Sequence, residues 1–186
     1  MGYDPEIHHR RSIRLRGWDY ARPGCYFITV CVEGKEHRLG EVVEGEMIRS
    51  TVGEMVDLVW KHIPRKFEGV ELDDDVIMPN HFHAIVRITG AEPHVGANRR
   101  THSGVSLHRI VQWFKMQTTN EYIGGVRESN WAPFRGRLWQ RNYYEHIIRN
   151  ARELELTRDY IATNPVRWHN DPENPTATSA HHEPWM

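Results

Sequence analysis

The chain has 186 residues, of which 39% are hydrophobic and 26% are charged, and its formal net charge at pH 7 is −1. This length and composition fit one folded domain with tails and exclude a largely disordered protein. The sequence contains neither an export leader nor a run of about 18 apolar residues, so we expect a cytoplasmic protein without membrane contact.

The positive charges of the chain are mostly arginines. Of the 24 Lys and Arg residues only four are lysines, which leaves 20 arginines. A guanidinium presents a planar fork of donors that matches phosphate, although a bias in genome composition produces the same excess. Residues 1–22 are rich in His and Arg and predict a basic N-terminal arm. The candidate phosphate contacts in this arm are Arg10, Arg11, Arg14 and Arg16.

Apolar spacing and turn residues predict the first half of the fold. The expected elements are a strand at 25–32, a hairpin at 41–48, a helix at 51–63 and strands at 70–79 and 81–89. A capping box that begins at Thr51 opens the helix, and we expect Pro64 to stop it. The last two strands join at Pro79-Asn80, so they should pair closely.

The second half contains a long loop, two helices and one strand. The expected elements are a loop at 90–104, a helix from Ser106 to about Gly124-Gly125, a strand within 139–148, a helix at 151–163 and a loose tail at 169–186. The full order is βαββαβ, which predicts an α+β fold of the ferredoxin-like type over residues 23–168. Its antiparallel sheet would carry helices on one face and leave the other face free for a ligand.

His81-Phe82-His83 is the first candidate site. Alternate side chains of a strand point to the same face, so the two imidazoles share one side of the sheet while Phe82 enters the opposite layer. Two imidazole nitrogens on one side can bind a divalent ion. A pair of partly exposed histidines without a metal fits the same spacing.

Tyr160 and Asn164 form the second candidate site. They stand four residues apart on the last predicted helix, so a phenol and an amide oxygen share one face. The phenol is a potential nucleophile, and the amide oxygen is a potential ligand for Mg²⁺ or Mn²⁺. A half-buried aromatic followed by a helix-terminating residue fits equally well. Tyr143 and Tyr144 are competing nucleophiles, but no suitably spaced oxygen ligand follows them.

Several segments together resemble a known family. Residues 78–86, Met-Pro-Asn-His-Phe-His-Ala-Ile-Val, resemble the His-hydrophobe-His (HUH) signature of single-tyrosine transposases. Residues 159–166 resemble the tyrosine helix of the branch associated with repetitive extragenic palindromes (REPs). Residues 138–150 and the arm around residues 10–15 are similar to that branch as well. The resemblance extends from about Tyr3 to Trp168.

The resemblance implies a metal-dependent nuclease and strand transferase that acts on single-stranded or hairpin DNA. His81, His83 and Asn164 would hold Mg²⁺ or Mn²⁺, and Tyr160 would attack phosphorus to form a 5′-phosphotyrosine. Further candidate DNA contacts are Arg135, Arg137, Arg141 and Arg149. A non-catalytic module that binds nucleic acid is the alternative. The pattern leaves open a monomer or a homodimer, and a mobile element or a host-resident protein.

Overall fold

The computed structural model describes residues 18–89 and 105–177. The predicted loop at 90–104 and most of the N-terminal arm, with all four of its candidate arginines, lie outside the described residues. The strands are β1 (Gly24–Cys31), β2 (Gly40–Val43), β3 (Glu46–Arg49), β4 (Val70–Ile77), β5 (His81–Ile88) and β6 (Tyr144–Ile148). The α-helices are α1 (Thr51–Lys61), α2 (Ile63–Lys66), α3 (Leu107–Glu128) and α4 (Ala151–Thr163). Two 3₁₀-helices span Glu33–Lys35 and Pro165–Asn170.

Four strands form the main sheet in the order β4-β5-β1-β6, and each neighbouring pair is antiparallel. Together with α1 and α3 this is the predicted ferredoxin-like α+β topology, which the structure confirms. The predicted hairpin is present as β2 and β3, which form a separate two-stranded sheet inserted between β1 and α1. No helix in the described part of the chain is apolar over a length that could cross a bilayer.

The sheet separates two apolar cores of different size. The larger core joins one face of the sheet to α1 and α3, and Phe82 lies in it as expected. The smaller core lies on the opposite face, where Phe27 and Ile85 pack against Tyr160 of α4. The expectation of a free second face is therefore wrong, because α4 folds back and covers part of it. Since strand side chains alternate, this is also the face that carries His81 and His83.

Three predicted helix boundaries differ from the structure. The N-cap of α1 is Ser50 rather than Thr51, because the Ser50 hydroxyl accepts a hydrogen bond from the Gly53 amide at 3.1 Å. Pro64 does not end the helical region, since it stands in the first turn of α2, where its missing amide hydrogen costs nothing. The third difference is that α3 continues through Gly124-Gly125 to Glu128.

The segment after α4 is packed where a loose tail was expected. Asp171 and Asn174 are buried, and the Asn174 amide donates to the Trp168 carbonyl at 2.9 Å. Lys35 donates to the Pro172 carbonyl at 2.8 Å, which ties this segment to the turn after β1. Residues up to 177 thus belong to the folded body, and the prediction of a loose tail from residue 169 is wrong for that stretch.

Candidate metal and tyrosine site

His81 and His83 lie side by side on β5. Their neighbours across the strand pair are Cys31 and Thr29 of β1. The two Nε2 atoms are 3.0 Å apart, and both side chains are almost fully buried. Neighbouring ligands at about 2.1 Å from one ion and at right angles to each other are also about 3 Å apart. The spacing therefore suits two ligands of a single ion.

Burial keeps both imidazoles in the form that binds metals. It lowers the pKa of His83 to about 3 and is the main reason that the pKa of His81 lies well below 6.5. The positive charge of Lys35, and that of His83 when it is protonated, lower the pKa of His81 further. Both rings are neutral at pH 7, so each has one nitrogen lone pair available.

Asp171 is the residue of this site that the sequence did not predict. Its Oδ2 is 3.8 Å from His81 Nε2, and the candidate ligand atoms of His81, His83 and Asp171 all lie within 4.8 Å of one another. Burial raises the pKa of this carboxyl to about 6. Because Asp171 stands in a proline-rich segment without periodic apolar residues, no local sequence signal marks it as part of a site.

Tyr160 lies on α4, which packs on the sheet face that carries the histidines. Its ring centroid is 5.2 Å from that of His83 and 5.9 Å from that of Phe27, and the residue is 6% exposed. The helix that carries it is held to β4 by Arg158, whose guanidinium donates to both carboxylate oxygens of Asp73 at 2.8 Å. The fold thus brings the predicted phenol next to the predicted imidazoles.

Asn164 follows α4 as its C-cap and shares a small pocket with Tyr160 and Asp171. Its Oδ1 is buried and has no hydrogen-bond partner in the described part of the chain. A buried amide oxygen without a partner costs free energy, so a ligand for it is expected. Neutral imidazoles, an amide oxygen and a carboxylate are all metal-binding groups, and these residues therefore fit a divalent metal ion.

Tyr143, Tyr144 and Trp139 pack against neighbouring side chains. The Tyr143 ring lies 5.5 Å from the Lys115 ammonium, and Tyr144 packs against the smaller core, edge-on to Phe27. Trp139 is buried in the larger core, where its indole donates to the Thr118 hydroxyl at 2.8 Å.

The arginines predicted to contact DNA remain predictions. Those within the described residues are Arg135, Arg137, Arg141 and Arg149, and all four are exposed. They lie in the connection before β6 and at the turn between β6 and α4. Exposed guanidinium groups are available to phosphates, but exposure alone does not assign a partner.

Comparison with known proteins relates the chain to transposases. No family model matches it. An uncharacterized protein of Haemophilus influenzae is 36% identical over 178 residues, which cover 91% of this chain and 95% of that protein. A second protein of the same organism, named "Putative REP-associated tyrosine transposase", is 24% identical over 152 residues, covering 80% of this chain and 74% of that one.

A solved structure of a REP-associated tyrosine transposase bound to a REP hairpin has the same fold. It superposes with a TM-score of 0.51 at 21% identity, and the match covers 85% of this chain and 74% of the other. The chain therefore belongs to one family with the uncharacterized Haemophilus influenzae protein, and its resemblance to the REP-associated tyrosine transposases, whose fold it shares, is confirmed.

Proposed function

We propose that the protein is a metal-dependent endonuclease and strand transferase for single-stranded, hairpin-forming DNA. One observation carries the proposal: the Tyr160 ring lies beside His83, and Tyr160, Asn164 and Asp171 line one pocket. The solved relative bound to a REP hairpin supports a palindromic substrate. In this proposal His81, His83 and Asn164 hold Mg²⁺ or Mn²⁺, and Asp171 adds a carboxylate.

Tyr160 is the proposed nucleophile. Its phenolic oxygen attacks the phosphorus, the bond from phosphorus to the 3′ oxygen breaks, and the products are a 5′-phosphotyrosine and a free 3′-OH. The phosphodiester energy is retained in the new ester, so rejoining requires no nucleotide cofactor. The reverse reaction, with another 3′-OH as the attacking group, completes strand transfer.

A phenol needs help to react at neutral pH, because its ordinary pKa is near 10. Arg167 lines the same pocket as Tyr160, so we propose that its guanidinium stabilises the phenolate during the attack. Phe27 and His83 pack against the Tyr160 ring and hold its orientation. A divalent ion, when bound, would stabilise the charge that develops on the transferring phosphate.

The proposal is tested by incubating the protein with a labelled single-stranded DNA hairpin and Mn²⁺. A denaturing gel should reveal a covalent protein–DNA product for the natural chain and none for Tyr160→Phe, which lacks the attacking oxygen. The matched control is Tyr143→Phe, which removes a hydroxyl from a tyrosine outside the pocket and should leave the product unchanged.

Hairpin binding by Tyr160→Phe separates catalysis from recognition. Retained binding without an adduct supports the assignment of Tyr160. An adduct of undiminished yield with Tyr160→Phe excludes it as the nucleophile. Tight, salt-sensitive binding by the natural chain, with no adduct in Mn²⁺ or Mg²⁺, favours the alternative of a non-catalytic module that binds nucleic acid.

A further inference from the structure

Asn80 connects three parts of the site. Its Nδ2 donates to the Lys35 carbonyl at 3.0 Å and to the Glu173 carbonyl at 2.8 Å. Its Oδ1 lies 3.0 Å from His81 Nδ1, and the residue is 1% exposed. The side chain thus joins the histidine strand to the turn after β1 and to the segment that carries Asp171.

These contacts fix the orientation of the Asn80 amide. Backbone carbonyl oxygens only accept hydrogen bonds, so the group that faces Lys35 and Glu173 must be the NH₂. The atom that faces His81 is then an oxygen, which can only accept. His81 must therefore carry its proton on Nδ1, and its Nε2 presents a lone pair toward His83.

Thr29 makes the equivalent contact with the second ring but does not restrict it in the same way. Its Oγ1 lies 2.8 Å from His83 Nδ1. A hydroxyl can donate or accept, so it satisfies His83 whether the proton is on Nδ1 or on Nε2. When no ion is present, the 3.0 Å contact between the Nε2 atoms requires a proton from His83, because His81 offers only a lone pair there.

We propose that Asn80 and Thr29 are positioning residues with different tasks: Asn80 fixes the tautomer of His81, and Thr29 supports His83 in both tautomers. Binding of a divalent ion then moves the His83 proton from Nε2 to Nδ1, and the Thr29 hydroxyl turns from donor to acceptor. Both Nε2 lone pairs face the ion. The proton stays on the same ring, so the pair releases none to solvent.

This inference deepens the proposed function, since it concerns the residues proposed to hold the ion. Burial lowers the pKa of both rings, which agrees with two neutral imidazoles at pH 7. Partners of the second ring nitrogen orient histidine ligands in many metal sites, and their removal weakens metal binding about 10- to 100-fold.

The direct test is the tautomer of each ring. The full chain, labelled with ¹⁵N-histidine and stripped of ions with EDTA, is studied by multiple-bond ¹H–¹⁵N NMR at pH 7.5, and single His→Gln variants assign the rings. We expect His81 as the Nδ1–H form and His83 as the Nε2–H form. Saturating Mg²⁺ should convert His83 to the Nδ1–H form and leave the tautomer of His81 unchanged.

The outcomes separate this inference from the proposed function. A His81 ring protonated on Nε2 overturns the role of Asn80, and a His83 ring already protonated on Nδ1 without an ion overturns the proton transfer within that ring. A third outcome is that the ion-free spectrum shows the expected tautomers while Mg²⁺ changes the tautomer of neither ring. In that case the proton transfer and the metal site are wrong, whereas the fixed tautomer of His81 stands.

Variants provide a second readout through Mn²⁺ affinity, measured from the electron paramagnetic resonance signal of free Mn²⁺. Thr29→Val should weaken binding about tenfold, and Thr29→Ser, which keeps the hydroxyl, should bind like the natural chain. Asn80→Ala should weaken binding about 10- to 100-fold, with thermal unfolding as the check on folding. If the natural chain and Thr29→Val bind Mn²⁺ with equal affinity, the proposed role of Thr29 is wrong. This comparison does not depend on whether Asn80→Ala folds.

Discussion

Asp171→Asn tests whether the buried carboxylate lowers the free energy of unfolding when no metal ion is bound. Asn has nearly the same shape, and its Oδ1 can still accept the hydrogen bond that the Glu173 amide donates to Asp171 at 2.7 Å. Because His81 is neutral, no ion pair is lost in the change. The substitution therefore removes little except the charge.

The magnitude follows from the pKa of the carboxyl group. Burial raises it from 3.8 to about 6, so the folded state holds this proton more tightly than the unfolded state does. The contribution of Asp171 to the free energy of unfolding falls as pH rises through this interval and is constant above it. At 1.36 kcal/mol per pH unit, the cost above pH 7 is on the order of 3 kcal/mol.

Urea unfolding in EDTA, followed by tryptophan fluorescence, measures the effect. Near pH 3.5 the variant and the natural chain should be equally stable, whereas at pH 8 Asp171→Asn should be more stable by up to about 3 kcal/mol. The control Asp159→Asn, at an exposed position of α4, should change stability little. Adding Mn²⁺ should stabilise the natural chain more than the variant. A variant that is less stable than the natural chain at pH 8 in EDTA would refute the reasoning.

Two pairs of substitutions test the local packing and capping of helices by urea unfolding. A Cβ on Gly125 would stand 2.2 Å from the Trp131 ring, whereas one on Gly124 would meet nothing within 4 Å. Gly125→Ala should therefore destabilise by about 1–3 kcal/mol and Gly124→Ala should stabilise by up to about 1 kcal/mol, and equal effects would contradict this. Ser50→Ala should cost about 1 kcal/mol and the neighbouring Thr51→Ala less than about 0.5 kcal/mol, an order that reverses if Thr51 is the true cap.

Strong local patterns predicted most of the fold. The strand near residues 25–32 and the hairpin centred on Glu44-Gly45 follow from β-branched runs and turn residues, and both are present. The helix at 151–163 has the predicted bounds because Asn150 caps it and Pro165 stands just after its end. The predictions were wrong where tertiary contacts determine the end of a helix. The Trp131 ring packs on Gly125, and a glycine pair that resembles a helix end lies inside α3.

The site was predictable only in part, for the same reason. The shared face of His81 and His83 follows from strand alternation, and the shared face of Tyr160 and Asn164 follows from helical spacing. That α4 covers the histidine face depends on packing between Phe27, Ile85 and Ile161, which no short-range pattern encodes. Asp171 enters through hydrogen bonds between the chain after α4 and the turn after β1, and such long-range polar contacts have no periodic sequence signal.

The position of Asp171 along the chain has a consequence for biosynthesis. The histidines lie on β5, but the carboxylate beside them lies beyond α4 and the 3₁₀-helix that follows it. A ribosome must therefore synthesise both of those helices before the three side chains can meet. A nascent or prematurely terminated chain that stops short of Asp171 would carry the imidazoles without their acidic neighbour.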